Sequence, residues 1–358
     1  MNGSRPLLYL GPRGSFTHEA AQRAASVMDD ALGVGTVPTP ASDVPVMMEA
    51  VQSSHAWAVI AWENNVEGYV VPNLDALIDS RNAVGVLRVS VDVAFDAFVL
   101  PDSGRPLAEA VAHPHGLAQC RAFIEDNGLR AVPATSNAAA CRDLGPGQVA
   151  LAPALCGPLY GVRTLRSHVQ DYEGARTDFL VVVPRDDRDE AMDVLRGGSI
   201  REFETVVTII PLSTGPGVLA NLLDVLRDAG LNMTSFISRP IKGHDGTYSF
   251  IATLDAAPWE PRFRDCLRDL AMAGDWIKTL AVYPRRETPN PPVDAWMLPR
   301  GGVRLAPDER MALKGAAARN GTADGRNPVV GIGSARDGDD GRVPGSPANE
   351  MMARELLW

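Results

Sequence analysis

The sequence predicts an α/β fold in two parts, and three observations carry that prediction. Up to Arg185, short apolar runs of strand length alternate with segments of helix-forming residues. Loops of glycine, proline, asparagine and histidine separate them at 11–14, 63–68 and 113–116. Beyond Arg185 the pattern becomes strand–helix–strand–strand–helix–strand, the order of a ferredoxin-like module.

Residues 7–10, Leu-Leu-Tyr-Leu, read as a buried strand broken by Gly11-Pro12-Arg13-Gly14. Ser15, Phe16 and Thr17 then open an alanine-rich helix over 18–28. Residues 57–62 form the next strand and run into Glu63-Asn64-Asn65-Val66-Glu67-Gly68. A helix starts near Pro72, because proline suits a first turn. Residues 91–100 and 109–112 read as strands, and His113-Pro114-His115-Gly116 leads into a helix stopped by Asn127-Gly128. Residues 149–152 and 179–183 supply two more strands, and such alternation favours largely parallel sheets. The module runs from strand 205–210 through helix 218–229, strands 233–238 and 247–254 and helix 262–273 to strand 277–283. Residues 285–358, rich in Gly, Pro, Ala, Arg and Asp, show no sustained periodicity and read as a disordered tail that ends in a Leu-Leu-Trp able to dock.

Composition narrows the function. With 358 residues, 45% hydrophobic and 22% charged, the chain suits a globular protein of two to three domains. A net charge of −10 argues against nucleic acid as a partner. An anionic small molecule remains compatible, since N–H groups at helix starts supply local positive potential. Cys120, Cys141, Cys156 and Cys266 lack CxxC spacing and read as reduced thiols of a cytoplasmic protein. No apolar run approaches the ~20 residues of a membrane span, and no signal-peptide pattern opens the chain.

Three loops follow strands, where open α/β sheets hold ligands. Gly11 to Thr17 offers N–H groups with the Ser15 and Thr17 hydroxyls; its bland reading is a turn with a helix cap. Asn64 and Asn65 close a buried strand with amides that need partners. His113 and His115 lack a third ligand at suitable spacing, so metal binding is not expected.

Together with Ala175-Arg176-Thr177-Asp178-Phe179, these loops occur in the order and spacing of the prephenate dehydratase family, which the chain resembles over residues 6–284. The second unit resembles that family's regulatory ACT domain, with Gly217-Val218-Leu219-Ala220 and Ser238-Arg239-Pro240 at its two amino-acid-binding motifs. The resemblance implies a two-lobed catalytic region over 6–185, similar to periplasmic binding proteins, and an ACT domain over 203–284. It implies loss of carbon dioxide and water from prephenate to give phenylpyruvate in phenylalanine biosynthesis. Thr177 would assist the departing hydroxyl; Asn64 and Gln119 would orient substrate, with Ser15, Thr17, Asn65, His115 and Ser136 around it. No cofactor is implied, because aromatisation drives the reaction. An amino-acid effector and a homodimer or homotetramer are the implied partners.

The chain departs from the family pattern at Asn65, Asn73, His115, Asp178 and Ile237. Asp178 stands where arginine is usual, and Ile237 where glutamate is usual. Strand alternation puts Asp178 on the face opposite Thr177, beside Arg176, so Asp178→Arg is expected to be nearly neutral. Two other readings follow from the same departures: a decarboxylase that leaves the ring non-aromatic, and an amino-acid-sensing binding protein without catalysis.

Overall fold

A computed structural model describes residues 4–32, 35–101, 104–188, 192, 202–241, 243, 246–285, 293–305, 308–311 and 347–357. It divides into two units: residues 1–286 with 347–358, and residues 287–346. The first unit carries the elements that matter for function.

The chain opens with β1 (Arg5–Leu10), α1 (Phe16–Leu32), β2 (Thr36–Ala41), α2 (Val44–Gln52) and β3 (Trp57–Asn64). The three strands pair in parallel in the order β2-β1-β3. Hence the loops after Leu10, Ala41 and Asn64 share one edge of the sheet. Asp43 caps α2 by accepting from the Val46 N–H at 2.9 Å. A short β4 (Gly68–Tyr69) folds back on β3, and α3 (Val71–Asp79), with proline in its first turn, leads to β5 (Val84–Asp92).

The chain then crosses into a second sheet. β6 (Asp96–Val99), β7 (Glu109–Ala112), β8 (Arg130–Pro133), β9 (Gln148–Ala152) and β10 (Arg163–Arg166) lie in the order β10-β6-β9-β7-β8. Between them run α4 (Pro114–Gln119), α5 (Arg121–Asp126), α6 (Asn137–Arg142) and α7 (Cys156–Tyr160). β11 (Arg176–Val183) returns to the first sheet and inserts between β3 and β5, antiparallel to both. Two lobes joined by two chain crossings result, with mixed rather than largely parallel sheets.

Two expectations change here. The single strand expected over 91–100 is two strands in different sheets, β5 and β6, because the first crossing occurs at 93–95. Residues there are apolar on both sides, so periodicity gives no sign of the break. The helix expected after His113 divides at Cys120, where φ is −127° and the Cys120 N–H turns back to Leu117.

β12 (Phe203–Ile210), α8 (Val218–Asp228), β13 (Met233–Pro240), β14 (Tyr248–Leu254), α9 (Pro261–Met272) and β15 (Trp276–Pro284) form the βαββαβ module. Its strands are antiparallel in the order β13-β14-β12-β15. α8 and α9 bury Leu222, Leu226, Phe263, Leu267 and Leu270 against this sheet. β15 also pairs in parallel with β5, where Ala281 faces Gly85, so the described strands of lobe and module make one ten-stranded sheet. A cluster containing Met47, Trp62, Leu74 and Leu180 continues into Val206, Leu280 and Tyr283 of the module.

The tail expected to lack order ends instead in α10 (Pro347–Leu356), which packs on β15. Its helical spacing is too short to stand out in a segment of that composition. Residues 312–346, also read as disordered, lie outside the described residues. No helix among the described residues is long and apolar enough to cross a membrane.

Candidate active site

β11 begins where β3 ends, and their ladder sets Thr177 opposite Asn64. The Asn64 side-chain N–H donates to Thr177 Oγ1 at 3.0 Å. Its carbonyl oxygen accepts from the Val66 and Glu67 N–H groups at 2.8 and 3.1 Å. The turn therefore fixes the Asn64 amide, and the amide fixes the Thr177 hydroxyl as an acceptor. The Thr177 proton is thereby left to donate to something else, and both residues are partly exposed at the sheet edge.

Asn65 has a different occupation. Its side chain donates to Gly174 O and accepts from the Arg176 N–H, each at 2.8 Å, and its own N–H donates to Arg176 O at 3.0 Å. It clamps the second crossing just before Thr177, and both of its polar side-chain atoms already have protein partners. Asn73 is buried and donates to Ala61 O at 2.7 Å, so it braces β3 from behind.

Asp178 faces away from Thr177 and beside Arg176, as alternation requires, and the pair is part of a larger charged cluster. Ser90 donates to it at 2.5 Å, Arg176 lies at 3.7 Å and Arg88 at 3.8 Å. Arg88 also reaches Glu204 of β12 at 3.3 Å. Glu63 stands opposite Asp178 in the ladder, and burial, with the Asp178 charge second, raises its carboxyl above the ordinary value. The expectation that Asp178→Arg is neutral does not survive: a third guanidinium would enter a space that already holds two.

The loop at 11–15 is committed largely to itself and to the other lobe. Gly11 N–H donates to Ala41 O, Ser15 N–H to Pro12 O, and His18 N–H to Ser15 Oγ. Gly14 N–H donates to His18 Nδ1 at 3.0 Å. Ser15 is thus the helix cap of the bland reading, and Thr17 lies in the first turn of α1. Burial, then the Arg13 charge, lowers the His18 pKa, and its ring stacks on Tyr9 at 4.9 Å. Gly14 has φ +88°, and a Cβ there would meet Cys156 Sγ at 2.9 Å, so glycine alone lets α7 approach. Tyr160 OH donates to Arg13 O at 2.5 Å and completes this latch between lobes.

In the second lobe, Gln119 is partly exposed at the end of α4, and its backbone oxygen accepts from the Asp171 N–H at 2.7 Å. The Asp171 carboxylate accepts from Arg121 and Ala122 N–H groups and so caps α5. His115 is exposed with its ring 5.2 Å from that of His113. Ser136 caps α6 through the Ala139 N–H at 2.9 Å, and Asn137 holds the His113 N–H. The described contacts join Thr177 with Asn64 and tie Gln119 to the second crossing; Ser15, Thr17, His115 and Ser136 are placed by local caps and turns. Sequence reasoning missed Asp171 and Asn137, whose contacts are long-range and leave no local signal, and His18, whose local bond to the Gly14 N–H was hidden in the reading of 18–28 as helix. Among the described residues no group of three or more His, Cys, Asp or Glu residues is arranged to hold a metal.

In the module, Ser213 to Gly215 with Val218, Leu219, Thr247 and Phe250 line a cavity of about 500 Å³. Gly217 opens α8 at φ +92°. Arg239 pairs with Asp75 of α3 at 3.0 Å, while Ser238 and Pro240 are exposed on β13.

Residues 7–187 match the prephenate dehydratase family model. A prephenate dehydratase of Mycobacterium sp. (strain JLS) is 32% identical over 287 residues, which is 78% of this chain and 88% of that one. The crystal structure of a prephenate dehydratase in complex with L-Phe from Arthrobacter aurescens superposes with a TM-score of 0.63 at 25% identity, covering 88% of this chain and 98% of that one. A structure described as a novel type of quorum quenching acylase shares the fold, with a TM-score of 0.64 at 23% identity over 79% of this chain and 98% of that one.

Proposed function

The chain belongs to the prephenate dehydratase family, and on that premise we propose that it converts prephenate to phenylpyruvate in phenylalanine biosynthesis. The ring carboxylate leaves as carbon dioxide, and its bonding electrons move into the ring. The C–O bond opposite breaks, and the departing hydroxide takes a hydrogen bond, then a proton, to leave as water. Thr177 supplies that hydrogen bond. The observation that carries this role is the Asn64–Thr177 contact, which occupies the Thr177 oxygen as an acceptor and leaves its proton to donate. Gln119 and Asn64 orient substrate oxygens from the two lobes, and Ser15, Thr17, His115 and Ser136 surround them. Aromatisation supplies the driving force, so no cofactor takes part.

The decarboxylase reading draws on the changed residues Asp178, Asn65 and Asn73. Each of these is engaged by protein groups, which supports the dehydratase outcome. Residues 6–185 serve as the catalytic domain and 203–284 as an ACT domain that takes an aromatic amino acid, as supported by the L-Phe complex of the Arthrobacter relative. ACT pairing would give a homodimer or homotetramer. The test is incubation of purified protein with prephenate. Phenylpyruvate, followed by its alkaline ultraviolet absorbance, is expected. A product that lost carbon dioxide but kept its hydroxyl would replace this reading with the decarboxylase, and unchanged prephenate with the sensor.

A further inference from the structure

α10 lies outside the stretch that resembles the family, yet its C-terminal end is anchored to both sides of the seam between lobe and module. Arg185, in the turn that follows β11, is fully buried, and its guanidinium donates to Arg354 O and Glu355 O at 3.2 Å and to Thr279 O. Thr279 of β15 donates through its hydroxyl to Leu356 O at 3.3 Å. The last carbonyls of a helix lack internal partners and carry its negative end, so a buried cation with a hydroxyl beside it is the complement they require.

The two residues that close the helix enter different cores. Leu356 packs in the module cluster with Phe263 and Leu267, and Leu357 packs in the lobe cluster with Trp57 and Val183; each is 2% exposed. Leu357 achieves this at φ +62°, a left-handed conformation that favours glycine. Arg354 adds a third attachment, donating to Arg81 O and Asn82 Oδ1 at 3.3 and 3.4 Å.

We propose that this seam is a built peptide-binding site whose ligand is the chain's own C-terminal helix, recognised by Arg185 and Thr279 at its carbonyl end and by one leucine pocket in each body. The bound helix clips lobe and module together. A groove that reads an amphipathic helix by its carbonyl end and two adjacent leucines accepts the same peptide added in solution when the resident copy is displaced.

The test uses the full chain carrying Leu356→Ser with Leu357→Ser, which vacates both pockets, and a fluorescein-labelled peptide of residues 347–358 as probe. Fluorescence anisotropy is expected to show saturable binding to the substituted chain and at least ten-fold weaker binding to the unsubstituted chain, whose own helix fills the groove. A peptide with the same two serines should not bind. Equal binding to both chains, or none to a folded substituted chain, would overturn the proposal. Should the substituted chain fail to fold, amide exchange of the unsubstituted chain decides. Amides of 351–357 protected to the level of β15 support the clip, and exchange there as fast as in the free peptide refutes it. Neither readout depends on the reaction catalysed.

Discussion

Neighbouring residues on a strand face opposite ways, and Thr177 and Asp178 show what that separates. Thr177 lies on the edge where β1, β2 and β3 end, held by Asn64. Thr177→Ala is expected to lower the rate of phenylpyruvate formation by about 10²–10³-fold, the range for loss of one positioned hydrogen-bond donor to developing negative charge. The thermal midpoint should hardly move, because the side chain is partly exposed and, among the described residues, makes one hydrogen bond, to Asn64. Activity within a few-fold of the unsubstituted protein would remove Thr177 from the mechanism. Asp178→Arg should act on stability instead. It removes the acceptor of Ser90 and brings a guanidinium beside Arg88 and Arg176, a loss of about 3–5 kcal/mol for breaking a buried charge network. Denaturant unfolding measures it, and a change below 1 kcal/mol would contradict the cluster. The sequence disclosed which face Asp178 takes, since alternation is local. Its neighbour Arg176 was legible for the same reason, but Ser90, Arg88 and Glu204 were not, because they arrive from β5 and from a module 26 positions further along.

Strands and helices with a strong apolar pattern were legible in their type: β3, β7, β9, β11 and every element of the module appear within a few residues of their expected places. β2 was not, since Thr-Val-Pro-Thr-Pro-Ala carries prolines that speak against a strand, and it is tolerated only at the sheet edge. α10 was not, because a short helix held by partners elsewhere has no distinctive local signature. β15 shows how an element acquires a cost from such distant packing. Lys278 is buried and donates to Leu77 O at 3.2 Å, Ile78 O at 2.9 Å and Ser80 O, capping the C-terminal end of α3. Burial, then the Arg185 charge, lowers its pKa from 10.5 to about 8. Between those values the folded chain has released a proton that the unfolded chain still binds, so stability rises with pH across that window. The stability of the unsubstituted chain minus that of Lys278→Met should therefore rise by about 2 kcal/mol from pH 8 to pH 10. A difference that stays flat would mean that Lys278 keeps its proton in the fold.

At the scale of the molecule, the described strands of lobe and module pair at one position of β5. Arg88 bridges Asp178 and Glu204 beside the joint, and Tyr69 OH donates to Ser235 Oγ at 3.1 Å. At the joint itself Gly85 faces Ala281, and a Cβ on Gly85 would lie 2.8 Å from the Ala281 Cβ and 3.2 Å from Leu180 Cδ1. Nothing in the local sequence marks this glycine, which sits in an otherwise apolar run and is needed only because a second sheet arrives there. Gly85→Ala should therefore wedge β15 away from β5. The overpacking is expected to cost about 1–3 kcal/mol, without direct contact to Thr177 or Asn64. The module's own ladder, β13-β14-β12-β15, does not pass through Gly85, so the module should keep its internal order. The expected signature in amide exchange is faster opening of β5 and β15 along the joint, with protection inside β12 and β14 retained. Protection lost evenly through the module would show that the module has no stability of its own. An unchanged pattern would show that the joint carries no strain, and that the side-chain contacts of Arg88, Tyr69 and α10 hold the two bodies together without the strand pairing.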